Sequence, residues 1–133
     1  MARLIVLLRG VNLVKHNRVS MPLLRDALAE EGFEDVATYV QSGNVVVGTR
    51  RSPAETATAV AAVVHDRFGL DIAVAVRTRA ELAKIVERNP LGSVATDPKR
   101  YQVTFLDGKP DRAALEKLAA AASEGERVEA YGR

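Results

Sequence analysis

Cysteine and tryptophan do not occur in the 133 residues of this chain, and aromatic residues make up only 5% of it. Without cysteine there are no disulfides, no thiolate metal ligands and no thiol nucleophile, and a reducing cytoplasm is the simplest setting. With so few aromatics, the core must be built from small aliphatic side chains, and an aromatic-lined ligand pocket is not expected. Long apolar runs are missing as well. Leu4 to Leu8 falls short of the roughly 7–15 residues of a signal-peptide core and far short of the roughly 20 of a membrane span, so neither export nor a membrane partner is expected. The glycine-rich nucleotide loop G-x-G-x-x-G, the Walker lysine, H-E-x-x-H and G-x-S-x-G are all absent, which argues against the common nucleotide-binding, zinc-protease and serine-hydrolase chemistries. No cofactor and no metal are expected.

Acid is missing from the amino-terminal stretch. Residues 1–25 carry Arg3, Arg9, Lys15, Arg18 and Arg25 without a carboxylate, and residues 26–35 then supply Asp26, Glu30, Glu31, Glu34 and Asp35. A net charge of +2 is too small to imply nucleic acid by itself, but its placement gives a local positive potential.

What is present is a 47% hydrophobic chain of single-domain length, ample for a core. Leu4 to Leu8 is continuously apolar, the pattern of a strand buried on both faces. A basic loop follows. Ser20 then reads as an N-cap, with Pro22 in the first turn, Met21, Leu24 and Leu28 at helical spacing and Gly32 as the stop. Val36 to Val40 and Val45 to Val47 read as a hairpin turned at Gly43-Asn44. Ser52-Pro53-Ala54-Glu55 is a capping box, with Ala57, Val60, Ala61, Val64 and Phe68 on one face and Gly69 at the end. Ile72, Val74 and Val76 alternate as a strand. The order β-α-β-β-α-β over residues 1–77 is that of the split βαβ, ferredoxin-like unit, in which the first and third strands are central. Their apolarity on both sides predicts cover on the sheet face away from the helices.

Residues 78–133 repeat part of that order. Thr78 to Glu81 is a second capping box, Asn89-Pro90 ends its helix, Tyr101 to Phe105 alternates as a strand, Pro110 opens a helix containing Leu115 and Leu118, and Arg127 to Tyr131 reads as a further strand. The fold expected is α+β: a ferredoxin-like unit followed by a second, incomplete ferredoxin-like repeat that stops where the first half has its hairpin, as a truncated chain would.

Chemistry is best sought in the loop after the first strand, whose length of about ten residues exceeds the usual strand-to-helix connection. Arg9, Asn12, Lys15, His16, Asn17 and Arg18 in that loop, together with Gln41, Ser42 and Asn44 of the hairpin, are the candidate ligand-binding residues. Arginine and lysine on a loop that opens a helix can meet phosphate or carboxylate. Asparagine and glycine are also ordinary turn formers, and whether loop and hairpin converge is open at this point. His65, on the capped helix, reads as an ordinary surface residue. An RNA-recognition mechanism that stacks bases on aromatics of the central strands is disfavoured, because Leu4 to Leu8 and Asn44 to Val47 contain none.

The segments LLRGVN, NRVSMPLLRDAL, YVQSGNVVV, ERNPL and KRYQVTFLDG together resemble the bacterial family called domain of unknown function 1697. The resemblance runs along the whole chain and implies an α+β fold with ferredoxin-like repeats. Val14-Lys15 stands where that family commonly has two glycines, so a glycine-built anion nest is not expected there. The resemblance also implies chains that continue past Arg133 through a further strand and a polar segment.

Three classes of function follow. The first is a cytoplasmic binding protein that takes a small anionic ligand or a nucleic-acid backbone through loop 9–20. The second is an enzyme acting on a phosphorylated or carboxylated small molecule, with His16 as its only obvious proton-transfer group near neutrality. The third is an assembly protein that forms a homodimer through a sheet face or an unpaired edge strand.

Overall fold

The computed structural model describes residues 1–133 apart from Asp107. Its elements are β1 (Ala2–Leu8), α1 (Met21–Glu30), β2 (Glu34–Tyr39), β3 (Asn44–Thr49), α2 (Pro53–Phe68), β4 (Val74–Thr78), α3 (Arg79–Arg88) and α4 (Arg112–Ala121). The result is a mixed structure of the α+β type, with one four-stranded antiparallel sheet and four helices among the described residues. Two compact units are distinguished, residues 1–84 and 85–133.

In the first unit each helix starts where its capping chemistry dictates. The Ser20 side chain accepts the Leu23 N–H at the head of α1, satisfying a donor that the helix itself cannot. At α2 the Ser52 hydroxyl accepts the Glu55 N–H, while the Glu55 carboxylate accepts the Ser52 N–H at 2.7 Å. Gly69, at φ 67°, closes α2 in the left-handed region.

The sheet runs β2-β3-β1-β4, with every neighbouring pair antiparallel. The two apolar strands β1 and β3 therefore lie at its centre. Leu4, Val6 and Leu8 of β1, Val45 and Val47 of β3 and Val76 of β4 are buried in one cluster with Leu24, Ala27 and Leu28 of α1 and Val60, Val63 and Val64 of α2. Each buried Leu or Val side chain contributes about 1.5–3 kcal/mol by leaving water, and this cluster is what makes the unit stable. The alternate residues Ile5, Leu7 and Val46 are half-buried.

Three details depart from the sequence reading. The buried face of α2 is centred on Thr56, Val60, Val63 and Val64, about one position round from the expected stripe, because a fully buried threonine carries no apolar signal. The hairpin turns over Val40 to Gly43, and Asn44 is the first residue of β3 rather than part of the turn. Arg77, which the alternation with Ile72, Val74 and Val76 would put on the open face of its strand, is only 3% exposed, and its guanidinium donates to the Val76 carbonyl at 2.8 Å.

The second unit contains the helix that Pro110 announces, shifted at its start. Asp111 caps α4 through the Ala113 N–H, two residues later than Pro110 suggested. Among its described residues no strand is paired, so the alternating segments Tyr101 to Phe105 and Arg127 to Tyr131 do not form the expected strands. A strand is defined by a hydrogen-bonded neighbour and is stabilised by a buried face, and none of the described residues from 85 to 133 is buried.

Candidate functional site

Strands β1 and β2 are each antiparallel to β3 and so point the same way, which places the loop after β1 and the turn after β2 at one end of the sheet. The convergence left open by the sequence is thereby decided. The Leu8 N–H donates to the Gly43 carbonyl and the Arg9 N–H to the Ala73 carbonyl, so β1 leaves the sheet between the hairpin and the entry to β4.

Asn12 is the pin. Its Nδ2 donates to the Gln41 carbonyl at 2.5 Å and to the Val19 carbonyl at 2.9 Å, and its Oδ1 accepts the Val19 N–H at 2.8 Å. One side chain thus holds both arms of the loop together and ties them to the hairpin. Asn12 itself sits at φ 53°, a left-handed conformation that asparagine tolerates better than most residues. Asn17, also at φ 53°, donates through Nδ2 to the Gly10 carbonyl. Between them the Asn12 N–H reaches the Asn17 carbonyl and the His16 N–H the Leu13 carbonyl, which makes residues 12–17 a miniature hairpin with Val14-Lys15 at its tip. Neither tip residue has a positive φ, so the turn closes without the glycine pair.

Val11 and Val19, at the base of the loop, are buried in the core, while Arg9, Lys15, His16, Asn17 and Arg18 are exposed. The hairpin fits closely against this base. A Cβ at Gly43, where φ is 86°, would lie 2.7 Å from both Leu8 Cβ and Val11 Cγ2. Gln41 and Ser42 are exposed, and Asn44 donates to the Tyr39 carbonyl and to Ser42 Oγ.

The acids that follow the loop in sequence do not answer its charge. Asp35 pairs with Arg3, Glu31 with Arg51 and Glu30 with Arg67. Arg25 donates to Thr38 Oγ1. Among the described residues Arg9, Lys15 and Arg18 form no ion pair; Arg18 makes only a 3.3 Å bond to the Val14 carbonyl.

The loop and the hairpin that carry the nine candidate positions are joined through Asn12 and the Gln41 carbonyl, and seven of the nine side chains divide into two roles. Asn12, Asn17 and Asn44 spend their side chains on the scaffold, whereas Arg9, Lys15, His16 and Arg18 point cationic or titratable groups outward. Sequence reasoning missed Tyr39, which ends β2 at 75% exposure, and Val40, 57% exposed with φ 53°. The only signal for them was their place next to the turn.

Elsewhere, His65 Nδ1 lies 2.9 Å from Asp71 Oδ1 on the exposed surface. No group of three histidines or carboxylates that could hold a metal ion occurs among the described residues. Nor, among them, is any helix long and apolar enough to cross a membrane. Within the second unit a cleft of about 690 Å³ is lined by Tyr101, Phe105 and Tyr131 besides aliphatic residues, contrary to the expectation of no aromatic-lined pocket. Three of the chain's six aromatics gather there. Arg88 stacks on the Tyr131 ring.

A family model described as a protein of unknown function (DUF1697) matches residues 1–133. No curated protein matches the chain. Among solved structures, the conserved bacterial protein SP0830 from Streptococcus pneumoniae is similar, with a TM-score of 0.69 at 21% identity over 92% of this chain and 67% of that one. At that identity the likeness speaks for the fold.

Proposed function

The chain belongs to the DUF1697 family over its whole length, and we propose that it is a binding protein whose loop 9–20 takes a phosphate-bearing ligand, a small anion or a nucleic-acid backbone. The observation that carries this reading is the division of labour in the acid-free stretch. Three of the five neighbouring carboxylates, Asp35, Glu31 and Glu30, are taken up by Arg3, Arg51 and Arg67, while Arg9, Lys15 and Arg18 stay exposed on a loop that Asn12 pins at its base. Cations held on a fixed frame lose little conformational freedom on binding and so give more of their interaction energy to the ligand.

The fold reading that goes with it is ferredoxin-like for the first unit, supported by the order β-α-β-β-α-β and the sheet order β2-β3-β1-β4. A cytoplasmic setting accords with the lack of cysteine.

The test is fluorescence anisotropy of short labelled oligonucleotides across a salt series. The logarithm of affinity should fall linearly with that of salt concentration, and Arg9→Ala/Arg18→Ala should bind more weakly with a slope shallower by roughly one to two. An affinity and slope unchanged in the double variant would remove the loop from consideration.

A further inference from the structure

Cations alone do not account for what stands beside them. Tyr39 projects from the last position of β2 with three quarters of its surface in water, and Val40 follows in a left-handed conformation that a β-branched residue adopts only under constraint. The constraint is visible. The Tyr39 carbonyl is held by Asn44, the Gln41 carbonyl by Asn12, and Gly43 is wedged against Leu8 and Val11. The hairpin is thus fixed to the basic loop in a form that leaves an aromatic ring uncovered.

The register shows which way the ring faces. Tyr39 pairs with Asn44, and Asn44 with Leu7, so the three form a row on the sheet face opposite the buried Val6 and Leu8. The alternation of β1, carried one step past its end, puts Arg9 on that same side, and the Arg9 N–H is still bound to Ala73. Two strand spacings separate β2 from β1, about 10 Å. Arg9 lies one residue pair beyond the row, about 7 Å along the strand. A flat aromatic and a guanidinium facing one way at such a distance match the two ends of a nucleotide, a planar base and its phosphate.

We infer that the ligand of the basic loop carries nucleobases: a single strand of nucleic acid, with a base stacked on Tyr39 and the backbone phosphates on Arg9, Lys15 and Arg18. This rests on the phosphate-binding reading above. Single strands are favoured because the base faces of a duplex are already stacked, whereas an unpaired base offers its π-face to any aromatic ring. The platform lies on an edge strand, in contrast to the central-strand arrangement that the lack of aromatics in β1 and β3 disfavours.

The experiment compares a labelled single-stranded oligomer, an abasic oligomer of equal length, the corresponding duplex and a mononucleotide, each against the wild type, Tyr39→Ala and Tyr39→Phe. The base-bearing single strand should bind on the order of ten-fold more tightly than the abasic one. Tyr39→Ala should abolish that advantage while leaving abasic binding and the salt slope unchanged, and Tyr39→Phe should restore it. In Tyr39→Trp the new side chain is the only tryptophan in the chain, and its fluorescence should be quenched by the base-bearing strand and not by the abasic one.

Equal affinity for both strands in the wild type, or equal losses for both in Tyr39→Ala, would overturn the stacking and leave the phosphate reading standing. A duplex or a mononucleotide bound as tightly as the oligomer would overturn the single strand. Absence of binding to every phosphate-bearing probe at low salt would remove both readings together.

Discussion

At the scale of single residues, the loop and hairpin owe their geometry to two uncharged residues, Asn12 and Gly43. Asn12 makes three hydrogen bonds that no other residue type supplies with the same shape, since it must donate twice and accept once. Asn12→Ala should cost about 1–3 kcal/mol in urea unfolding, because the Val19 N–H and the two carbonyls lose their partner in a partly buried place. Anion binding should weaken with it as the loop loosens. Gly43 is fixed by space as well as by its φ of 86°. Gly43→Ala should destabilise by about 2–4 kcal/mol, the sum of left-handed strain and overpacking against Leu8 and Val11, and an urea midpoint equal to that of the wild type would contradict the close fit. The candidate cations were legible as an acid-free stretch in the sequence. The roles of the asparagines were not, because a turn former and a clamp are written with the same letter.

At the scale of elements, α2 carries two testable features. The Ser52 backbone N–H, and then the Ser52 hydroxyl and Arg51, hold the Glu55 carboxyl below its ordinary range. A lowered folded-state pKa means that the ionised cap adds stability above the ordinary value near 4.5 and loses it as pH falls through the folded value. The stability difference between wild type and Glu55→Gln, followed by urea unfolding, should therefore be present at neutral pH and close as the pH falls below 4.5 through the lowered folded-state value. Thr56 is fully buried, and its hydroxyl has no hydrogen-bond partner among the described residues. Thr56→Val should raise stability by about 1 kcal/mol, since it removes a desolvated polar group and keeps the branching. Element starts were legible because serine, proline and glutamate announce them by local chemistry. Which face of α2 turns inward was less so, as buried Thr56 and half-exposed Ala57 and Ala61 blur the stripe. The strands expected at Tyr101 to Phe105 and Arg127 to Tyr131 had the right alternation, but alternation supplies only one side of a ladder.

For the whole molecule, the contrast between the units decides where the chain yields. Among the described residues every buried one lies in positions 4–77, and none from 85 onward is buried. Limited proteolysis under native conditions should therefore cut first between residues 89 and 133 and leave a resistant fragment containing β1 to β4, and amide exchange should be fastest in the same region. First cuts within β1, β3 or α2 would contradict this. The order of the first four strands was legible across the whole unit, because two continuously apolar runs can only be central strands, whereas the fate of the second unit depends on contacts that no local pattern encodes. The direction of β1 has a practical corollary. Met1 precedes that strand and the basic loop follows it, so seven residues of extended chain, about 23 Å, separate the two. A tether attached beside Ala2, at the start of β1, would sit at the end of the sheet opposite the Arg9 to Arg18 loop and Tyr39.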